Sequence, residues 1–228
     1  MTDSRLNVAT GMGMAFVGGY VDVVGFVLLF GLFVAHATGN LVMLGVALAG
    51  GAGGLATKLL ALPVFLGAAS LAYALVRWRR ARDLQCETLV LGLQAMLLTA
   101  FALLTIAASP GGAADSPDVM IAGLVGVAAM AVQNVGTRVV FGHLAPTTMM
   151  TGNVTQMAID IVDFVAARGQ PDDALKARLL KTWPPIAAFA LGAAGGAAGV
   201  LIAGAWSLML AVVAVAGLAA LHATPHRR

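Results

Sequence analysis

Residues 19–45 read GYVDVVGFVLLFGLFVAHATGNLVMLG, and residues 132–158 read VQNVGTRVVFGHLAPTTMMTGNVTQMA. Each is a long apolar run that carries polar residues and closes on Thr-Gly-Asn. The first holds Asp22 ahead of Thr38, Gly39 and Asn40; the second holds Gln133, Asn134 and Arg138 ahead of Thr151, Gly152 and Asn153. Glycine beside asparagine is common at helix ends, so the tripeptide alone is a weak signal. Two further apolar segments follow each copy, and that shared sequel makes the pair read as a repeat.

Of the 228 residues, 60% are hydrophobic and 10% charged, and the mean hydropathy is +0.94. Soluble domains carry about 25% charge, so lipid is the expected solvent for most of the chain. The basic excess, 13 Lys and Arg against 10 Asp and Glu, lies in short loops beside apolar runs. There it sets membrane orientation and does not form a nucleic-acid patch. One cysteine, Cys86, excludes an intrachain disulfide. The N-terminal MTDSRLNVATG lacks the pattern of a cleaved leader. No HExxH, P-loop, EF-hand or GxSxG pattern occurs, so neither an enzyme, a metal site nor a cofactor is expected.

Runs of about 20 apolar residues cross a bilayer, and six are expected near 12–34, 58–77, 87–108, 119–141, 183–203 and 206–222. If they alternate, Arg5, the cluster Arg77, Arg79, Arg80 and Arg82, the group Arg168, Lys176, Arg178 and Lys181, and the terminal Arg227 and Arg228 share one side. That side is the cytoplasm by the positive-inside rule, with both termini there. Lys58 and Arg138 are the exceptions. Trp78, Trp183 and Trp206 fall at expected interfaces. Three spans per copy invert the second half relative to the first, so 1–110 and 111–228 read as two inverted three-helix repeats of one membrane domain. Inverted repeats with interrupted helices recur in secondary transporters, with the solute site near the midplane.

A charge at the bilayer centre costs about 2.5–3.5 kcal/mol, which makes Asp22, expected at mid-span, a functional candidate. Three fates are open to it: pairing with Arg138, protonation, or hydration in a solute path. Inversion is expected to bring it near Gln133 and Asn134, which could equally be interhelical hydrogen-bonding glue. Arg138 either reaches inward or snorkels to the interface. At the breaks, Thr38, Thr151, Asn40 and Asn153 are expected to cap exposed backbone groups. A half-helix starting there would favour an anionic group at its amino end. Residues 41–56 and 154–167 are either re-entrant or interfacial; the latter is amphipathic, with Val154, Met157, Ala158, Ile161 and Val165 on one face and Asp160 and Asp163 elsewhere. His36 and His143 flank the breaks. Gly192, Gly195, Gly196 and Gly199 form overlapping GxxxG pairs, suited to packing within the bundle or, less favoured, to a homodimer. Pro63, Pro184 and Pro185 are expected at helix starts.

GYVD with HATGN, and QNVGTR with TTMMTGN, make the chain resemble the YoaK family, also called DUF1275, over nearly its whole length. That resemblance implies a bacterial multi-pass inner-membrane protein of about six spans and says little about biochemistry. Its motif positions fall on Gly19, Asp22, Thr38, Gly39, Asn40, Gln133, Asn134, Arg138, Thr147, Thr148, Thr151 and Gly152; Asn153 goes beyond the family's second motif. The expected function is transport of a small anionic or carbonyl-bearing solute, with Asp22 as a candidate for proton coupling. The alternative is a membrane scaffold or accessory subunit whose polar residues only hold helices together.

Overall fold

Five helical stretches are long and apolar enough to cross a membrane in the computed structural model, which describes residues 3–51, 53–108 and 113–223. They are Arg5–Leu28, Leu55–Arg80, Glu87–Ala107, Pro117–Val140 and Asp173–Ala223. In full the chain forms α1 (Asp3–Leu28), α2 (Gly39–Leu48), α3 (Leu55–Arg80), α4 (Glu87–Ala107), α5 (Pro117–Val135), α6 (Thr151–Ala166), α7 (Asp173–Ala203) and α8 (Leu208–Ala223). A π-helical turn, Gly136–Val140, prolongs α5, and a 3₁₀ turn, Gly204–Ser207, joins α7 to α8. The expected boundary at 110/111 and the terminal Arg227 and Arg228 lie outside the described residues.

The first long helix does not run to Thr-Gly-Asn as its sequence suggests. It stops at Leu28 because Phe30 and Gly31 adopt left-handed backbone, φ 55° and 79°, which no helix can continue. Lys58, buried in the first turn of α3, fixes that turn: its ammonium donates to the Phe30 carbonyl at 2.8 Å and to the Gly53 carbonyl. Beside it Thr57 donates through both N–H and hydroxyl to Asp115. Asp22 therefore sits six residues, about 9 Å at 1.5 Å per residue, from the end of α1 and not at its middle.

Helix directions follow from the side chains that meet. Gly192 lies on Phe16 and Gly196 on Tyr20, so α7 runs parallel to α1. Gly13 meets Leu218 and Thr10 bonds His222, so α8 runs back antiparallel to α1. The reversal is made at Gly204, φ 54°. Arg80 bonds the Val139 carbonyl while Thr57 lies near Gly123, which makes α3 and α5 parallel to each other. Gln133 bonds the Met14 carbonyl and Gly123 meets Leu29 and Leu32, which makes α5 antiparallel to α1. One end of the bundle thus gathers Arg5, the Arg77–Arg82 group and the start of α7; Lys58 and Asp115 mark the other.

The core is apolar: Met14, Val17, Val21 and Val24 of α1 pack with Leu91, Leu98 and Phe101 of α4, Val127 and Met130 of α5, and Val215 of α8. α1 pairs with α7 as α5 pairs with α3, α2 rests on α3 as α6 rests on α7, and α4 packs against α8. The four glycines of the overlapping GxxxG pairs pack within the bundle, the favoured of their two expected uses. A Cβ at Gly192 or Gly196 would strike the Phe16 or Tyr20 carbonyl, Gly199 lies under the Tyr20 hydroxyl, and Gly195 faces the Tyr20 ring. Pro63, Pro184 and Pro185 are not at helix starts either; α3 begins at Leu55 and α7 at Asp173, where the Asp172 carboxylate accepts from the Leu175 N–H at 2.7 Å. Trp78, Trp183 and Trp206 are all well exposed.

Candidate functional site

After its left-handed turn the chain doubles back along α1, with Val34 against Gly25 and Ala35 and His36 beside Asp22. Asp22 is 5% exposed and accepts from the Ala35 N–H at 2.8 Å through one carboxylate oxygen. The other lies 2.6 Å from His36 Nδ1. His36, in the connection between spans, has its pKa raised above the usual 6.5: the hydrogen bond to Asp22 is the main cause, opposed by burial and aided by the Asp22 charge. Its ring also packs edge-on to Phe189 of α7, 5.9 Å between centroids. Asn40 closes the loop, accepting from the Phe33 N–H at 2.9 Å and donating to the Phe33 carbonyl at 2.7 Å. From there α2 climbs to Gly51–Gly54, next to Lys58 and Phe30.

The second half repeats this construction. Thr148 donates to Asn134 at 2.9 Å, and Gln133 donates to Thr147 at 3.0 Å, both across 14 positions, the same separation as Asp22 and His36. Asn153 donates to the Pro146 carbonyl at 2.8 Å across seven positions, as Asn40 does to Phe33. Pro146 has no N–H, so the reciprocal bond is missing. Asn134 follows Asp22 by 112 positions, whereas Asn153 follows Asn40 by 113. One extra residue therefore falls between Asn134 and Asn153, the stretch that also holds the π turn Gly136–Val140. α6 then runs to the arginine-rich end, where Arg178 holds Asp160 at 2.9 Å and Asp163 at 2.6 Å. Those two carboxylates are structural. The amphipathic face of α6 is turned outward: Val154, Ile161 and Val165 are exposed, and the buried residues are Asn153 and Asp160.

The polar residues do not converge as the sequence suggests. Gln133 reaches α1 at Met14, eight residues or about 12 Å from Asp22, so the two halves build separate polar clusters. Arg138 is exposed in the π turn at the arginine-rich end and does not pair with Asp22. Thr38 and Thr151 are exposed and make no side-chain cap, Gly39 is half-buried, and Gly152 is exposed with open space around it. The asparagines, not the threonines, secure the breaks. Sequence reasoning missed Gln94, a lone amide in an apolar span. Fully buried, it donates to Gln133 at 2.5 Å and leaves its own carbonyl oxygen without a partner among the described residues. Phe189 was likewise missed, having no sequence signal beyond bulk.

The fold and these motifs define a polytopic helical membrane protein, and a family model for proteins of unknown function, DUF1275, matches residues 10–221. The chain belongs to the DUF1275 family. Neither the curated proteins nor the solved structures contain a match.

Proposed function

We propose that this protein moves a small anionic or carbonyl-bearing solute across the membrane, with its site between the two halves of the bundle. The observation that carries this reading is the pair of Thr-Gly-Asn helices, α2 and α6, each anchored by a buried asparagine in its first turn, which run to opposite ends. Counting α7 and α8 separately makes six passes, and the exchange-symmetric packing favours two inverted repeats at 1–110 and 111–228. The arginine-rich end is then cytoplasmic, with both termini, as expected of an inner-membrane protein. Such folds hold solute between their repeats. Here the Asp22–His36 pair and the Gln133–Gln94 cluster are two polar stations, separated by Val17, Tyr20 and Val21, all at most 2% exposed. Asp22–His36 supplies an acid–base pair for proton coupling, and the Gln94 oxygen an acceptor for a passing donor.

Flux in proteoliposomes, assayed over a panel of carboxylates at imposed pH gradients, tests this. Asp22→Asn and His36→Gln should each abolish pH-driven uptake while the protein stays folded; uptake unchanged in both would sink the proposal. A scaffold function is the second reading, favoured by the intramolecular partners that Asp22, Gln133 and Asn134 already have. It predicts lower thermal stability in the variants, no flux in the wild type, and a co-purifying partner.

A further inference from the structure

At the arginine-rich end, a cavity of about 420 Å³ opens between the first turns of α1, the loop after the π turn, and α7. Its polar lining comes from Asn7, His143 and Lys181, and no carboxylate takes part among the described residues. Pro184 and Pro185 line it as well. Lying inside α7, they have no N–H to give the carbonyls of Leu180 and Lys181 one turn earlier, which also belong to the cavity wall. A pocket with a lysine ammonium, an imidazole and two carbonyls lacking their helical partners matches an anion that also carries a hydroxyl. Immediately beyond it Ala15, Met150 and Ala188 close together with Phe16 and Phe189 packed on them, and Phe189 touches His36 on the far side.

The geometry points to this cavity as a binding site for a small hydroxylated anion, held by Lys181 through its charge, by His143 through a hydrogen bond and by the proline-freed carbonyls through its hydroxyl. Two sources share that chemistry, a soluble hydroxy acid or phosphate ester and a glycerol-bearing lipid headgroup. The inference rests on the transport reading only in calling the cavity that pathway's cytoplasmic mouth, with the Met150–Phe189 layer as its closed seal.

Binding is measured apart from flux, on purified full-length protein, by thermal unfolding with sodium lactate, glycerol 3-phosphate and, as the hydroxyl-free control, propionate. A parallel series uses nanodiscs of phosphatidylglycerol against phosphatidylcholine. At a hundredfold excess over Kd, the occupied site should raise the midpoint by roughly 5–10 °C. Lys181→Gln should weaken the apparent affinity roughly tenfold or more. Lys176→Gln, in the same helix but paired with Asp173, should not. A saturable shift with the soluble anions supports a solute site, and one confined to phosphatidylglycerol supports a headgroup site. No shift from any of them, or equal loss in the two lysine variants, overturns the assignment; propionate matching lactate removes the role of the freed carbonyls. Flux lost with binding intact refutes transport alone, and flux intact without binding refutes this site alone.

Discussion

The Asp22–His36 contact is the residue-scale feature with a direct pH signature. Because folding raises the His36 pKa, the folded chain holds that proton more tightly than the unfolded one. The stabilisation is complete below about pH 6.5, the unfolded value, and drains away as pH rises through the higher folded value. Thermal midpoints in detergent should therefore fall on going from pH 6 toward pH 8, and His36→Gln should flatten the profile; a wild-type profile already flat would contradict the pairing. The two break asparagines give a second test. Asn40 makes two bonds to Phe33, whereas Asn153 makes one to Pro146 and a weak one to the Met150 sulfur. At about 0.5–1.5 kcal/mol each, Asn40→Ala should cost about 1–3 kcal/mol and Asn153→Ala about half that, read from unfolding of the two variants under one condition. The reason is the missing N–H of proline.

At the scale of elements, the close approach of α1 and α7 holds the two halves of the bundle together. Gly192 and Gly196 face backbone carbonyls of α1, and Gly19 faces the Phe189 carbonyl of α7 in return. A carbonyl cannot swing aside as a side chain can, so a Cβ there must push the helices apart. Gly192→Val should cost at least the upper end of the 1–3 kcal/mol typical of overpacking. Gly217→Ala, in α8 with open space around it, should leave the unfolding midpoint within a degree or two of wild type. Similar melts for both variants would mean that α7 does not lie where it is described.

For the whole molecule, orientation and repeat organisation make the testable statement. In a Cys86→Ser background, Gln85→Cys at the arginine-rich end and Ala49→Cys at the other end, both exposed positions, should react with an impermeant thiol reagent from opposite sides of the membrane. Labelling of both from one side would break the six-pass inverted reading. Much of this scale was legible in the chain itself. Composition and the lengths of the apolar runs require a helical membrane protein, because a backbone in lipid must satisfy its own hydrogen bonds. The clustering of arginines orders its ends, and the twin Thr-Gly-Asn motifs mark two equivalent breaks. Those are properties of local sequence, and local physics fixes them. The tertiary structure decided what depends on who meets whom. Lys58 stabilises a left-handed turn 28 residues earlier and so ends α1 at Leu28. His36, rather than Arg138, becomes the partner of Asp22 because the chain doubles back there. Gln133 and Asp22 stay apart because α5 runs antiparallel to α1 and Gln133 meets it at Met14, eight residues from Asp22, a consequence of helix direction and depth that no spacing along the sequence encodes.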